Sequence, residues 1–339
     1  MRLSGTLPAW LGWLALALLS LVGRCSGGAD SDDDDDSPAP LHQPEAGTAA
    51  GESVHQKHCW IFTHMNKSGG QTIKGLLSPW IEKNNLSLGL YDSHEWKNGT
   101  ETAREFLENK YTVTWGAYTE GLRPHGVRPH CKWFTVFRHP VSRLVSAYYF
   151  CHKRRKDPLC ATGVLRAEEA DLLTFARHWT NFGLRQFAIA FILPESVIKS
   201  RAGQLCPDCP GWFLLKSYLD ETRRGPGGLA DADIGMREML APVQNLLVSK
   251  YAAVGILEEY NTTLHLFTEA LNMPGFDWVS TFDDRGVVNK DRLFMHEIGQ
   301  AVEKVMTDVK IKKYLQLDLL LYEHAVAVHK KQLKVYGLA

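Results

Sequence analysis

The sequence predicts an α/β fold with a three-layer arrangement around a central parallel sheet, and two strand-loop-helix units carry that prediction. The apolar stretch Trp60-Ile61-Phe62 runs directly into His64-Met65-Asn66-Lys67-Ser68-Gly69-Gly70-Gln71-Thr72, which reads as a strand, a phosphate loop and a helix start. Further along, the β-rich run Lys132-Trp133-Phe134-Thr135-Val136-Phe137 passes at once into the charged turn Arg138-His139-Pro140 and a helical stretch through Ser146 to Tyr149. Alternation of strand and helix signals along the rest of the chain completes the case.

The first unit has the chemistry of an anion site. Gly69 and Gly70 free the backbone for close approach, the first amides of the following helix point into the loop, and Lys67 adds a full positive charge. In a Walker A loop the Lys follows the last Gly and precedes Ser or Thr. Here Lys67 precedes both glycines, so a nucleoside triphosphate kinase or similar phosphotransferase is disfavoured.

The second unit supplies a partner for the first. Pro140 fits the first turn of a helix, where its missing N–H is harmless. Arg138 then lies at the C-terminal end of a strand, the ligand-facing edge of a parallel sheet, and Ser146 lies two turns into the helix. A guanidinium and a hydroxyl suit a second phosphate, bound apart from the first. Tyr148-Tyr149-Phe150 reads as helix packing without a site role.

Together the two elements resemble those of the sulfotransferases that use 3′-phosphoadenosine 5′-phosphosulfate (PAPS), nearest the Golgi carbohydrate branch that contains the heparan and uronyl 2-O-sulfotransferases. That branch carries roughly H-x-P-K-x-G-G-T-S and R-D-P-x-x-R-x-x-S-x-Y. This chain has Asn66 for the Pro, Gln71-Thr72 for the Thr-Ser pair and His139 for the acid, and none of these changes removes a charge-bearing contact. Softer likeness extends through Tyr251–Tyr260 and Leu317–Glu323. The resemblance implies a P-loop-like, PAPS-sulfotransferase type of α/β fold and transfer of a sulfuryl group to a carbohydrate hydroxyl. It implies PAPS as co-substrate and no metal. Lys67, Ser68, Gly69, Gly70, Gln71 and Thr72 would hold the 5′-phosphosulfate, with Lys67 also catalytic at the bridging oxygen, and Arg138 and Ser146 would hold the 3′-phosphate. Arg143 reads equally well as a structural ion-pair partner.

The general base departs from the pattern. Related enzymes carry G-H-x-x-Y-G-L-H, whereas this chain reads Gly116-Ala117-Tyr118-Thr119-Glu120-Gly121-Leu122-Arg123. Ala117 replaces the expected His. Glu120 and His125 are the leading replacements, with His94 and His130 behind them. The same departure keeps open a second reading, a non-catalytic glycan- or nucleotide-binding relative.

The organisation expected is a signal anchor or signal peptide over 1–23, an acidic, structureless stem over 24–57 and a lumenal catalytic domain over 58–339. Leu7 to Gly23 is apolar except for Ser20, Arg2 precedes it, and Asp30 and Asp32 to Asp36 follow it. The site around Arg24 to Gly27 lacks a small-x-small cleavage pattern, which favours a type II Golgi membrane anchor over secretion. The chain as a whole is formally neutral, but without residues 1–57 it holds 35 basic and 30 acidic side chains. That mild positive balance suits an anionic donor and falls far short of a nucleic-acid binder. His152-Lys153-Arg154-Arg155-Lys156 is either a solvated loop or a patch that steers a polyanionic acceptor.

Seven cysteines suit an oxidising lumen; a Cys151–Cys160 bridge would close a small loop around the basic patch, and Cys206 with Cys209 would close another. Asn85, Asn98 and Asn261 begin glycosylation sequons. Asn66 begins one formally but lies in the phosphate loop, so it is expected to be unmodified. Ser78-Pro79 predicts a helix stop or kink, Tyr111–Trp115 a strand, Ala167 to Phe191 a long helical middle, Gly203 to Gly228 loops, and Arg292 to Val335 two closing helices.

Overall fold

The structure, a computed structural model, describes residues 59–91, 111–117, 119–120, 122, 131–153, 160, 171–179, 181–192, 229–285, 299–303 and 305–339. Its strands are β1 (Trp60–Thr63), β2 (Leu88–Leu90), β3 (Val113–Gly116), β4 (Lys132–Phe137) and β5 (Tyr251–Ile256). Its helices are α1 (Gly70–Lys83), α2 (Pro140–Lys153), α3 (Leu172–His178), α4 (Phe182–Ile192), α5 (Leu229–Lys250), α6 (Tyr260–Leu271), α7 (Trp278–Arg285), α8 (Val309–Tyr314) and α9 (Gln316–Val335).

The strands form one sheet in the order β2-β3-β1-β4-β5, every pair parallel. β1 is central, with Trp60 opposite Val113 on one side and Lys132 on the other. From β1 the chain crosses to one side for β2 and β3, and from β3 it passes over to β4 and β5 on the other. The reversal therefore falls between β1 and β4, and the C-terminal ends of those two strands flank the crevice where open α/β sheets take their ligands.

Parallel strands are covered on both faces, and their near-continuous apolar sequences reflect it. Ile61, Trp133 and Tyr251 pack beneath α4, α5 and α9. Trp60, Phe62, Phe134 and Val136 pack against α1, α6 and α7, where Trp278 stands edge-on to Phe134 and Phe267. A third apolar cluster joins α2, α3 and α8 through residues such as Leu144, Phe175 and Ile311. A disulfide between Cys59 and Cys131 ties the entry of β1 to that of β4, and Cys151–Cys160 forms as the spacing predicts.

Two expectations are refined. Of the stop or kink expected at Ser78-Pro79, the stop does not occur, and α1 runs on to Lys83. Burial of Trp80 and Ile81 on the sheet holds the turn, and the Ser78 hydroxyl donates to the Lys74 carbonyl at 2.9 Å. The helical middle is two helices, α3 and α4, parted at Asn181, whose φ of 48° is left-handed. Over 292–335, where two closing helices were expected, α8 and α9 form and residues 299–303 are helical as well. The apolar stretch 7–23, the stem, Asn98, Cys206, Cys209 and the loops 203–228 lie outside the described residues. Among the described residues, no helix is long and apolar enough to cross a membrane.

Candidate active site

The loop after β1 is built to hold its backbone against an anion. Lys67 and Gly69 both adopt left-handed conformations, φ 65° and 81°. For Gly69 this is free, but for Lys67 it costs on the order of 1 kcal/mol, so neighbouring contacts must hold it. Gly70 starts α1, and a Cβ there would lie 1.9 Å from the His64 ring, which leaves room for glycine alone. Among the described residues, no side chain caps the helix. Its first amides and the positive end of its dipole therefore face the crevice. The Thr72 amide is the exception, since it already donates to the Gly69 carbonyl at 3.0 Å. What Thr72 can offer a ligand is its hydroxyl.

Ser68 is buried, 1% exposed, and its hydroxyl has no partner among the described residues. Buried hydroxyls are ordinarily satisfied, and this one lies beside the start of α1.

Arg138 reaches this loop from the end of β4. Its Nη1 donates to the Lys67 carbonyl at 3.3 Å, so the two phosphate elements meet directly. Burial lowers the Arg138 pKa and Glu258 works the other way, but a guanidinium stays charged regardless. Glu258, just past β5, accepts the His139 amide at 2.9 Å and the Tyr322 hydroxyl at 3.1 Å. It thus sets a carboxylate beside the turn in which His139 has replaced an acid. Burial and then the Glu258 charge push the Tyr322 phenol above its usual range, while burial pulls the His139 imidazole down.

Ser146 is buried on α2. Four residues on, on the same helical face, the Phe150 ring lies beneath the Lys67 ammonium, 3.9 Å from Nζ to ring centroid. Phe150 packs on the cluster that joins α2, α3 and α8, as expected, and its ring face also meets the Lys67 ammonium. Arg143 resolves as structural: it forms a buried ion pair with Asp318, which also accepts the Gly183 and Leu184 amides at 3.0 and 2.7 Å.

Gln186 on α4 is a site residue that the sequence did not reveal. Its amide nitrogen donates to the carbonyls of His64 (2.8 Å) and Ala117 (2.5 Å), and its Oε1 accepts the Asn66 amide at 3.4 Å. One buried side chain thus pins the start of the phosphate loop to the end of β3. A lone Gln about 120 residues downstream carries no sequence signal for this.

Glu120 lies beneath the loop, 0% exposed. Its Oε1 accepts a hydrogen bond from the Tyr251 hydroxyl and lies 3.5 Å from Thr63 Oγ1, which the Tyr251 hydroxyl (2.7 Å) and the Thr119 hydroxyl (2.9 Å) also reach. A carboxylate enclosed in this way is a poor match to its expected role, because a bulky acceptor's hydroxyl cannot touch it. His125, His94 and His130 lie outside the described residues.

A strand, a helix start that no side chain of the described residues caps, a left-handed lysine and an arginine bonded to that lysine's carbonyl come together at one edge of the sheet. Residues 53–180 match the sulfotransferase family. The match takes in the Lys67 loop, Arg138 and Ser146, and it supports sulfuryl transfer as the class of reaction. β5, Glu258 and α9 lie beyond it. No curated protein matches the chain.

Proposed function

We infer that the protein transfers the sulfuryl group of PAPS to a hydroxyl of a carbohydrate acceptor, from a lumenal domain held to the Golgi membrane by its N-terminal segment. The observation that carries this reading is the Arg138 guanidinium bonded to the Lys67 carbonyl across the switch point of the sheet. One ligand with phosphates at both ends of its ribose would engage both elements.

The chemistry follows from where charge grows. As the acceptor oxygen attacks sulfur in line, negative charge develops on the oxygen bridging to the departing 3′,5′-ADP. A cation and fixed amides aimed at that oxygen lower the barrier. Lys67 supplies the cation, and the first amides of α1 with the Ser68 hydroxyl hold the phosphosulfate. Arg138 and Ser146 hold the 3′-phosphate. Protein donors suffice to neutralise this charge without a metal. With Glu120 enclosed, His125 is the proposed base for the acceptor hydroxyl.

The enclosure of Glu120, together with Ala117 at the expected histidine position, favours one alternative, a donor-binding relative without transferase activity. Calorimetry with 3′,5′-ADP and ATP, followed by radiolabelled sulfate transfer from PAPS to a panel of desulfated polysaccharides, separates the readings. Transfer to any glycan supports the first reading. Tight 3′,5′-ADP binding without transfer supports the alternative, and preference for ATP sinks both.

A further inference from the structure

We propose that Phe150 is a positioning residue for the Lys67 ammonium, acting through the face of its ring, so that α2 sets where the charge of the phosphate loop lies. This deepens the sulfotransferase reading and rests on it for the role of Lys67.

A lysine ammonium sits on a four-carbon stem with many rotamers, and the left-handed backbone at Lys67, φ 65°, fixes only the root of that stem. The Phe150 ring meets the tip at 3.9 Å, well inside the range over which an aromatic quadrupole attracts a cation. The ring is itself held, because Phe150 is half-buried against the cluster that joins α2, α3 and α8, and its neighbour Cys151 is bridged to Cys160. An aromatic face also suits this task chemically. Unlike a carboxylate, a ring does not itself neutralise the ammonium or repel an anionic donor.

Two experiments on the full chain test the idea. The first reads geometry without turnover. Lysines are reductively methylated with carbon-13 formaldehyde, and the Lys67 methyl signal is assigned by its loss in Lys67→Arg. Ring current should move that signal upfield from the lysine envelope, and Phe150→Leu should return it. A Lys67 signal inside the envelope in the parent chain overturns the proposal.

The second reads function. Replacement of Phe150 by mono-, di- and trifluorinated phenylalanine keeps shape while draining the ring face of charge. Turnover should fall stepwise, reaching on the order of fivefold at the end of the series, with the melting temperature unchanged. In the Lys67→Ala background the series should be flat. Equal turnover across the series in the parent chain, or the same decline without Lys67, overturns the positioning role. Failure of the chain to bind 3′,5′-ADP, with the ring-current shift present, removes the donor reading and leaves the Lys67–Phe150 contact standing.

Discussion

On the proposed reading, single side chains divide the work between binding and chemistry, and substitution should separate the two. Lys67 would meet charge that appears mainly in the transition state, so Lys67→Ala should lower kcat about 100-fold or more while 3′,5′-ADP affinity changes much less. Arg138→Ala should do the reverse, weakening 3′,5′-ADP in calorimetry; unchanged affinity would show that the 3′-phosphate sits elsewhere. Glu120 and His125 form the next contrast. Glu120→Gln keeps the volume and an acceptor for Tyr251, so the rising limb of the pH–rate profile should survive, whereas His125→Ala should remove it without weakening donor binding. Loss of that limb in Glu120→Gln alone would restore the carboxylate as base. Lys67 and Arg138 were legible from sequence because each stands at a fixed offset from an apolar run and a Gly or Pro. Gln186 and Phe150 were not, because they act through tertiary contact from mid-helix positions that look like ordinary helix.

At the level of elements, α4 and α9 hold each other's first turns and thereby place Gln186 under the phosphate loop. Asp318 on α9 accepts two amides of α4, and Asn181, just before α4, accepts the Leu317 and Asp318 amides at 3.0 and 3.2 Å. Arg143 of α2 closes the set through its buried pair with Asp318. Asp318→Ala would strip caps from α4 and leave a guanidinium buried without its partner. That should cost about 3–5 kcal/mol, read as a lower urea midpoint at unchanged slope. A loss under 1 kcal/mol would mean that Arg143 finds water or another acceptor. Strands β1, β4 and β5 were readable as short apolar runs followed by turn or helix-start signals, the signature of strands covered on both faces. β2 escaped notice because Leu88-Gly89-Leu90 is three residues at an edge without β-branching. The Pro79 stop failed because tertiary burial outweighed a local preference, and α5 was hidden by Pro242 within it.

For the molecule as a whole, the sheet's last strand and the closing helix meet at a buried imidazole that ties stability to pH. His329 of α9 is 0% exposed, its Nδ1 lies 2.8 Å from the Val254 carbonyl on β5, and its Nε2 lies 3.7 Å from the Glu259 carboxylate. Burial lowers its pKa, outweighing the Val254 carbonyl and Glu259, which raise it, while Lys330 adds to the lowering. The folded chain therefore keeps His329 neutral at pH values where the unfolded chain protonates it. Stability is whole above the ordinary histidine value of about 6.5 and falls as pH drops from there toward the lowered folded value, by at most about 1.4 kcal/mol per pH unit for one imidazole. His139, lowered by burial in the same way, adds a second contribution of the same sign at the site. Urea unfolding at pH 7.5 and in steps below 6.5 should show the parent chain losing more stability than His329→Gln, while the variant starts lower and declines less steeply. Parallel declines in the two would mean that Glu259 moves onto the protonated ring and offsets its burial, and that the acid sensitivity of the fold lies in other groups.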